Sequence, residues 1–444
     1  MQNAVLTDLT QKVSTLSFAK PVGRVSSLDG HSIQVTGLET EVRLGDRLSL
    51  TRQDGSNLLG EVLRIEGHSL TMLPDAPPHQ VAISDRVLAL GPVKIAPCDA
   101  WIGRVIDPYG VPLDGSPLKS GFHRVSIRND PPLATKRKAF GSRLNTGYHL
   151  LNTMLPLVRG QRVGVFAGSG VGKSTLLADL IRQLDADVMV LALVGERGRE
   201  IRDFTQTVLG LGGMSRTVVV AATADAAATT RMHCPQTAMR VAEHFRDQGK
   251  HVVMVVDSIT RFAEAQREAA VSAGEFPSLR GFPVSTPSAI TQLVERSGTG
   301  IEGSGDITAI FSVLVAGSDM DEPVADMLRG VLDGHIVLAR SLSERGVFPA
   351  IDVLKSISRA LPLAATPAEN KVIQAARSLL FVYERTSALI DAGLYTEGSD
   401  PKIDQAMTFH KAFDDFMTQN GAKHTDASFE ALTLCLRRAN ALSA

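Results

Sequence analysis

Gly168-Ser169-Gly170-Val171-Gly172-Lys173-Ser174-Thr175 decides the fold of this chain. An apolar run, Val163-Gly164-Val165-Phe166-Ala167, leads into it, and a helical pattern, Leu176-Leu177-Ala178-Asp179-Leu180, leads out. A strand, a glycine-rich loop and a helix in that order form a phosphate cradle. Small residues let successive backbone N–H groups turn toward the phosphates, and the positive end of the helix dipole reinforces them. In such a cradle Lys173 reaches the β- and γ-phosphates and the Ser174 hydroxyl sits on Mg²⁺. The strict spacing puts a first glycine at position 167, where this chain has alanine. That position ends the strand, so a small residue suffices, while Gly170 and Gly172 keep the loop itself permissive. A nucleoside triphosphate is the expected ligand.

Working outward, four regions differ in pattern. Residues 1–19 contain a short amphipathic helix, with Val5, Leu6, Leu9, Val13 and Leu16 at helical spacing. Residues 20–91 break into short β-type runs, among them Ser32-Ile33-Gln34-Val35, Val62-Leu63-Arg64-Ile65 and Val87-Leu88-Ala89-Leu90. Such spacing predicts a small barrel or sandwich. From 92 to 362 apolar runs alternate with helical patterns: Val188 to Val194, Thr217 to Ala222, Val252 to Val256, Ile307 to Val315 and His335 to Leu338. That alternation predicts an α/β core with a mostly parallel sheet covered on both faces. Residues 363–444 lose the strand signal, and Val372, Ala376, Leu379 and Tyr383 recur at helical spacing, so a helical domain is expected there.

In doubly wound sheets ligands sit at the carboxyl ends of the strands, so the polar residues that end the other runs matter most. The run from Val188 reaches Gly195-Glu196-Arg197-Gly198-Arg199-Glu200, and the run from Val252 reaches Asp257-Ser258-Ile259-Thr260-Arg261. Asp257 suits the second support of a Mg²⁺ ion, and Glu196 suits the orientation of an attacking water. Arg197 and Arg261 could neutralise the γ-phosphate. Two plainer roles stay open at this point: a solvated charge cluster at a helix start for Glu196 and Arg197, and a helix N-cap for Asp257.

Composition narrows the function classes. The 444 residues are enough for two or three domains, and 46 Lys+Arg against 47 Asp+Glu leave no global basic excess for nucleic acid. Cys98, Cys234 and Cys435 are far apart and form neither a metal nor a redox spacing, which fits a reducing, cytoplasmic compartment. Met232-His233-Cys234-Pro235 lacks the further ligands a metal pair needs. The start, Met1 to Val5, has no basic n-region, and no uninterrupted apolar stretch reaches about 18 residues. Neither a secretory signal nor a membrane span is expected, and any membrane association would come through partners.

Several further runs resemble one family. They are Gly195 to Glu200, Phe245-Arg246-Asp247-Gln248-Gly249-Lys250, Asp257 to Phe262, Asp319 to Asp326, Leu332 to Leu338 and Phe348 to Arg359. Together with the phosphate loop they resemble the flagellar protein-export ATPases, also called flagellum-specific ATP synthases. Type III secretion ATPases are close relatives of that family, and the catalytic subunit of rotary ATP synthases is further off. The resemblance implies a RecA-like P-loop core with an N-terminal β-barrel and a C-terminal helical domain. It implies ATP hydrolysis with Mg²⁺ by a homo-oligomeric ring, expected to be a hexamer. Residue by residue it implies Glu196 as the catalytic glutamate, Arg197 and Arg261 on the γ-phosphate, and Asp257 on the Mg²⁺ side. It adds Phe348 against the adenine ring, where a core phenylalanine is the plainer role. It also adds Arg359 as an arginine finger given to a neighbouring subunit, where a surface salt bridge is the plainer role. Residues 282–292 differ from the family's usual segment and receive no role.

The implied partners are a regulatory stalk protein at the N-terminal helix, export-gate membrane proteins, and export cargo with its chaperones. The implied place is the cytoplasm, peripheral at the inner membrane through those partners. Packing of the helix on its own barrel stands beside the stalk reading. Three rivals remain: an injectisome secretion ATPase, a non-catalytic nucleotide-binding ring subunit, and a nucleic-acid translocase on the same fold. Glu196 speaks against the second, and the balanced charge against the third.

Overall fold

A computed structural model describes residues 21–278, 281–315, 320–419, 421–422 and 424–441. The expected helix within residues 1–19 lies outside the described residues, as does Asp319. Two compact units emerge, one built on residues up to Val93 and the other on most of the chain from Lys94 onward.

Within the first unit, β1 (Val22–Leu28), β2 (Ile33–Thr36), β3 (Asp46–Thr51), β4 (Asn57–Glu66), β5 (Ser69–Pro74) and β6 (Arg86–Pro92) close into an antiparallel barrel in the order β1-β2-β5-β4-β3-β6. Closure removes the unpaired edges that short strands would otherwise expose. Alternation supplies the core: Ile33 and Val35 of β2, Leu48 and Leu50 of β3, and Leu70 and Met72 of β5 are buried, with polar neighbours such as Gln34 only partly so.

The second unit begins with β7 (Lys94–Ile95), β8 (Val105–Ile106) and β9 (Val125–Ser126), and then β10 (Arg162–Ala167), β11 (Val188–Glu196), β12 (Thr217–Thr223), β13 (His251–Asp257), β14 (Asp306–Leu314), β15 (Gly334–Leu338) and β16 (Ile351–Ser358). Eight of these form one sheet in the order β16-β15-β10-β14-β13-β11-β12-β8, parallel throughout except for antiparallel β16. Its central strands are apolar at nearly every position because parallel sheets are covered on both faces. β13, for example, is buried from His251 to Asp257. The edge strand β16 does not stand out by pattern, since Asp352, Lys355 and Ser356 interrupt its apolar run.

The helices of this unit, in chain order, are α1 (His149–Thr153), α2 (Lys173–Gln183), α3 (Gly198–Asp203), α4 (Gly210–Met214), α5 (Ala228–Asp247), α6 (Ile259–Ser272), α7 (Ser285–Glu295), α8 (Pro323–Val331), α9 (Arg340–Glu344), α10 (Pro367–Asp391), α11 (Pro401–Thr418) and α12 (Thr425–Arg438). The stretch 282–292 therefore enters α7. A capping box starts α10: Glu369 N–H donates to the Thr366 hydroxyl at 3.2 Å, and Thr366 N–H donates to Glu369 at 2.7 Å, with Pro367 in the first turn. Phe409, Phe413 and Phe416 stack along α11 and share one continuous core with the sheet, through Leu380, Ile351 and Val353. Cys234 is fully buried in α5 against the carbonyls of Leu193 and Val220, and desolvation pushes its thiol pKa up, as befits an inert core residue. Among the described residues no helix is long and apolar enough to cross a membrane.

Candidate active site

The phosphate loop starts where β10 stops. Ala167 is a buried strand residue paired with Leu314 on one side and Leu338 on the other, which is why alanine serves at that position. Ser169 and Gly170 are exposed, and α2 begins at Lys173 with no acidic residue in its first turn, leaving its N–H groups open to an anion. Gly172, the N-cap, has φ +87°, and a Cβ there would lie 3.3 Å from the Phe348 ring. Both the backbone conformation and the approach of Phe348 call for glycine.

Lys173 does not project freely. Its ammonium pairs with the Asp257 carboxylate and donates to Ser312 Oγ at 3.1 Å, while Ser312 donates to Asp257 Oδ1 at 2.5 Å. Three neighbouring strands build this cluster: β10 feeds Lys173, β13 ends in Asp257, and β14 lies between them. The N-cap alternative for Asp257 fails, because Ser258 takes that part: its carbonyl accepts from Phe262 N–H and its hydroxyl from Arg261 N–H, each at 3.4 Å.

Glu196 ends β11. The register against β12 shifts at Gly195, so this bulge, at φ +69°, turns the glutamate out of the strand pattern. A Cβ at Gly195 would lie 3.3 Å from Arg261 Cβ and Cγ, which packs the stem of Arg261 beside the same corner. Burial pushes the Glu196 carboxyl up to about 7, helped by its hydrogen bond to Glu200 and the negative charge of Asp257, and opposed by Lys173. Glu200 moves the other way, held ionised chiefly by accepting from Glu196 and also by Arg197. A carboxyl that is partly desolvated, paired with a second carboxylate and close to a lysine is not a solvated surface charge.

The arginines are placed less tightly. Arg197 extends into solvent and pairs with Glu200 at 3.0 Å, and Arg261 pairs with Glu264 at 2.9 Å. Ser174 and Thr175 lie on the open side of the loop, and both are exposed. Phe348 is 49% exposed and flanks Gly172, so it is not a core phenylalanine. Arg340, on α9, donates to the Ser169 carbonyl at 3.4 Å; sequence gives no sign of it, because only the fold brings it to the loop.

Arg359 lies elsewhere. Its N–H donates to the Asp333 carbonyl at 3.0 Å, and Asp333 N–H donates to the Arg162 carbonyl at 2.8 Å. It is therefore level with the first residue of β10, whereas the phosphate loop follows the last. At about 3.3 Å per residue the strand from Arg162 to Ala167 spans roughly 17 Å, beyond the length of an arginine side chain. Its guanidinium donates to the Arg329 carbonyl at 3.1 Å, and among the described residues it has no carboxylate partner, against the surface salt bridge.

A triphosphate fits this arrangement, with backbone N–H groups, Lys173 and the start of α2 converging on one open loop. For a divalent ion, no group of three His, Cys, Asp or Glu side chains comes together among the described residues. Asp257 and the Ser174 hydroxyl are the available oxygen donors, a set that suits Mg²⁺ bound largely through phosphates and water.

Known proteins resemble this chain over most of its length. The profile of the ATP synthase alpha/beta family, nucleotide-binding domain, matches residues 147–358, and that of the T3SS EscN ATPase C-terminal domain matches residues 365–434. The flagellum-specific ATP synthase of Agrobacterium fabrum is 44% identical over 386 residues, covering 87% of this chain and 81% of that one. Its counterpart in Salmonella typhimurium is 39% identical over 442 residues, covering 97% and 96%. Among solved structures, the assembled type III secretion ATPase EscN of enteropathogenic E. coli superposes with a TM-score of 0.87 at 34% identity, covering 93% of this chain and 100% of that one. EscN in complex with its central stalk EscO gives a TM-score of 0.83 at 33% identity.

Proposed function

This chain belongs to the flagellum-specific ATP synthase family, and from that premise we propose that it is an ATPase that energises the export of flagellar proteins. The observation that carries the chemistry is the cluster of Lys173, Asp257 and Ser312 at the carboxyl ends of adjacent strands, with the perturbed Glu196 beside it. Lys173 leaves Asp257 to hold the β- and γ-phosphates, aided by the N–H groups of Gly168 to Thr175. Mg²⁺, when bound, neutralises phosphate charge, with Ser174 and Asp257 as its protein-side oxygens. Glu196, ionised, orients the attacking water. Arg197 and Arg261 swing from their glutamate partners to the γ-phosphate, and Phe348 stacks on the adenine.

Arg359 completes a neighbouring subunit's site in a ring, expected to be a hexamer, as the assembled state of EscN supports. A stalk protein is the second partner, supported by the EscN–EscO complex, and the segment within residues 1–19 is its proposed dock. Export-gate proteins, cargo and chaperones are the remaining partners, and they bring the ATPase from the cytoplasm to the inner membrane. The injectisome alternative shares this chemistry, but identities of 44% and 39% to flagellar ATPases against 34% to EscN favour flagellar export. Lys173→Ala tests the catalytic reading: Mg-ATP binding weakens and turnover is lost as the phosphates lose their point charge. Turnover at the wild-type rate overturns it.

A further inference from the structure

β14 runs between the phosphate-loop strand and the strand that ends in Asp257. Ser312 pairs with Val165 of β10 and lies one step beyond the Phe311–Val256 pair, level with Asp257. Its side chain is completely buried, so its hydroxyl has to find partners inside the protein. The other hydroxyl on this strand, Thr308, serves the fold, accepting from Gly160 N–H at 2.9 Å and meeting the His251 ring at 2.9 Å. Ser312 meets the site instead: it donates to Asp257 Oδ1 and accepts from Lys173.

We infer that Ser312 is a positioning residue that keeps Asp257 in place when Lys173 leaves it for the nucleotide phosphates. Asp257 is 5% exposed. Once its cation partner moves away, a carboxylate buried to that degree needs another donor, or it drifts. The Ser312 O–H supplies one. An O–H donating to a carboxylate belongs to the strong, charge-assisted class, and it holds Oδ1, the oxygen that Lys173 also contacts. Ser312 also accepts from Lys173, so it gives the ammonium a second anchor while Lys173 is on Asp257, and loses nothing ionic when Lys173 departs. Ser312 keeps its proton throughout.

The inference rests on the reading of Asp257 as the Mg²⁺-side acid, and the test separates the two. In the full chain, Mn²⁺ binding in the presence of ADP is measured by electron paramagnetic resonance for Ser312→Ala, Ser312→Thr and Asp257→Asn. ADP binding in EDTA is measured alongside. Ser312→Ala should lower Mn²⁺ affinity about 10-fold or more, the scale of a hydrogen bond to a charged group, with ADP affinity in EDTA unchanged. Ser312→Thr should retain wild-type affinity. Wild-type Mn²⁺ affinity in Ser312→Ala beside a weakened Asp257→Asn overturns the role of Ser312 alone. Equal weakening with and without metal, or a Thr variant that fails like Ala, overturns it as well. Wild-type Mn²⁺ affinity in Asp257→Asn overturns the reading of the site. If Ser312→Ala lowers the melting temperature, Ser312→Cys, similar in size and a weak donor, is expected to keep the fold and still lose metal affinity.

Discussion

Glu196 carries the sharpest consequence at the level of a single side chain. With its carboxyl at about 7, mainly through burial, a large share of the free enzyme is neutral at pH 7 and cannot orient water as an anion. kcat/KM for Mg-ATP should therefore rise with pH through about 7 and level off above it, because that ratio reports groups on the free enzyme. Glu196→Gln should lower hydrolysis by about 10²-fold or more, keep nucleotide binding, and remove this limb of the profile. Glu200→Gln replaces a charged hydrogen-bond acceptor with a weaker neutral one and removes a negative neighbour, so the limb should move to lower pH; a limb that stays in place refutes the coupling. Linkage fixes the sign for stability. A folded-state pKa above the unfolded value means that the contribution of Glu196 is complete below its ordinary range and is lost as pH rises toward 7. The melting temperature of the wild type should fall across that window relative to Glu196→Gln.

At the level of elements, the clearest stability test is the start of α10. Thr366→Ala removes one half of the capping box and should cost about 1 kcal/mol, read as a fall in melting temperature with nucleotide binding intact. The ion pair of Arg143 with Glu369 at 3.1 Å remains in that variant and limits the loss. The elements themselves are legible in the sequence to differing degrees, for physical reasons. β11, β13 and β14 announce themselves as apolar runs because both of their faces are covered, and the acids that end β11 and β13 can be read as site residues from that position alone. β16 is an edge strand with one face partly open, so its alternation is broken and its strand character escapes the pattern. Ser312 gives no signal at all, since a serine inside an apolar run acquires its role only from the register that sets β14 beside β13. Glu200 stands four residues from Glu196 at a helix start, and that spacing is open to the eye. Phe348 and Arg340 reach the phosphate loop through tertiary packing, and for Phe348 only the family resemblance anticipates the contact.

The topology of the whole sheet supports the proposal that Arg359 serves another subunit. Antiparallel β16 returns to the end of the sheet opposite its own phosphate loop, with Ser358 paired to Gly334 and Arg359 tied through Asp333 to the first residue of β10. An arginine there cannot meet its own γ-phosphate, yet it is without a carboxylate partner among the described residues. A head-to-tail contact brings one end of a subunit to the other end of the next, and such contacts close into rings. Arg359→Ala subunits should then bind ATP normally and hydrolyse it roughly 10³-fold or more slowly, the scale of a trans-acting arginine. Mixing them with Glu196→Gln subunits should restore part of the activity, because some interfaces join an intact Glu196 to an intact Arg359. A finger acting within its own chain gives no rescue, since every mutant subunit lacks one of the two groups. Wild-type activity should also rise faster than linearly with protein concentration while rings assemble. Mixed rings whose assembly is established by sedimentation, and which show no recovered hydrolysis, exclude the trans role.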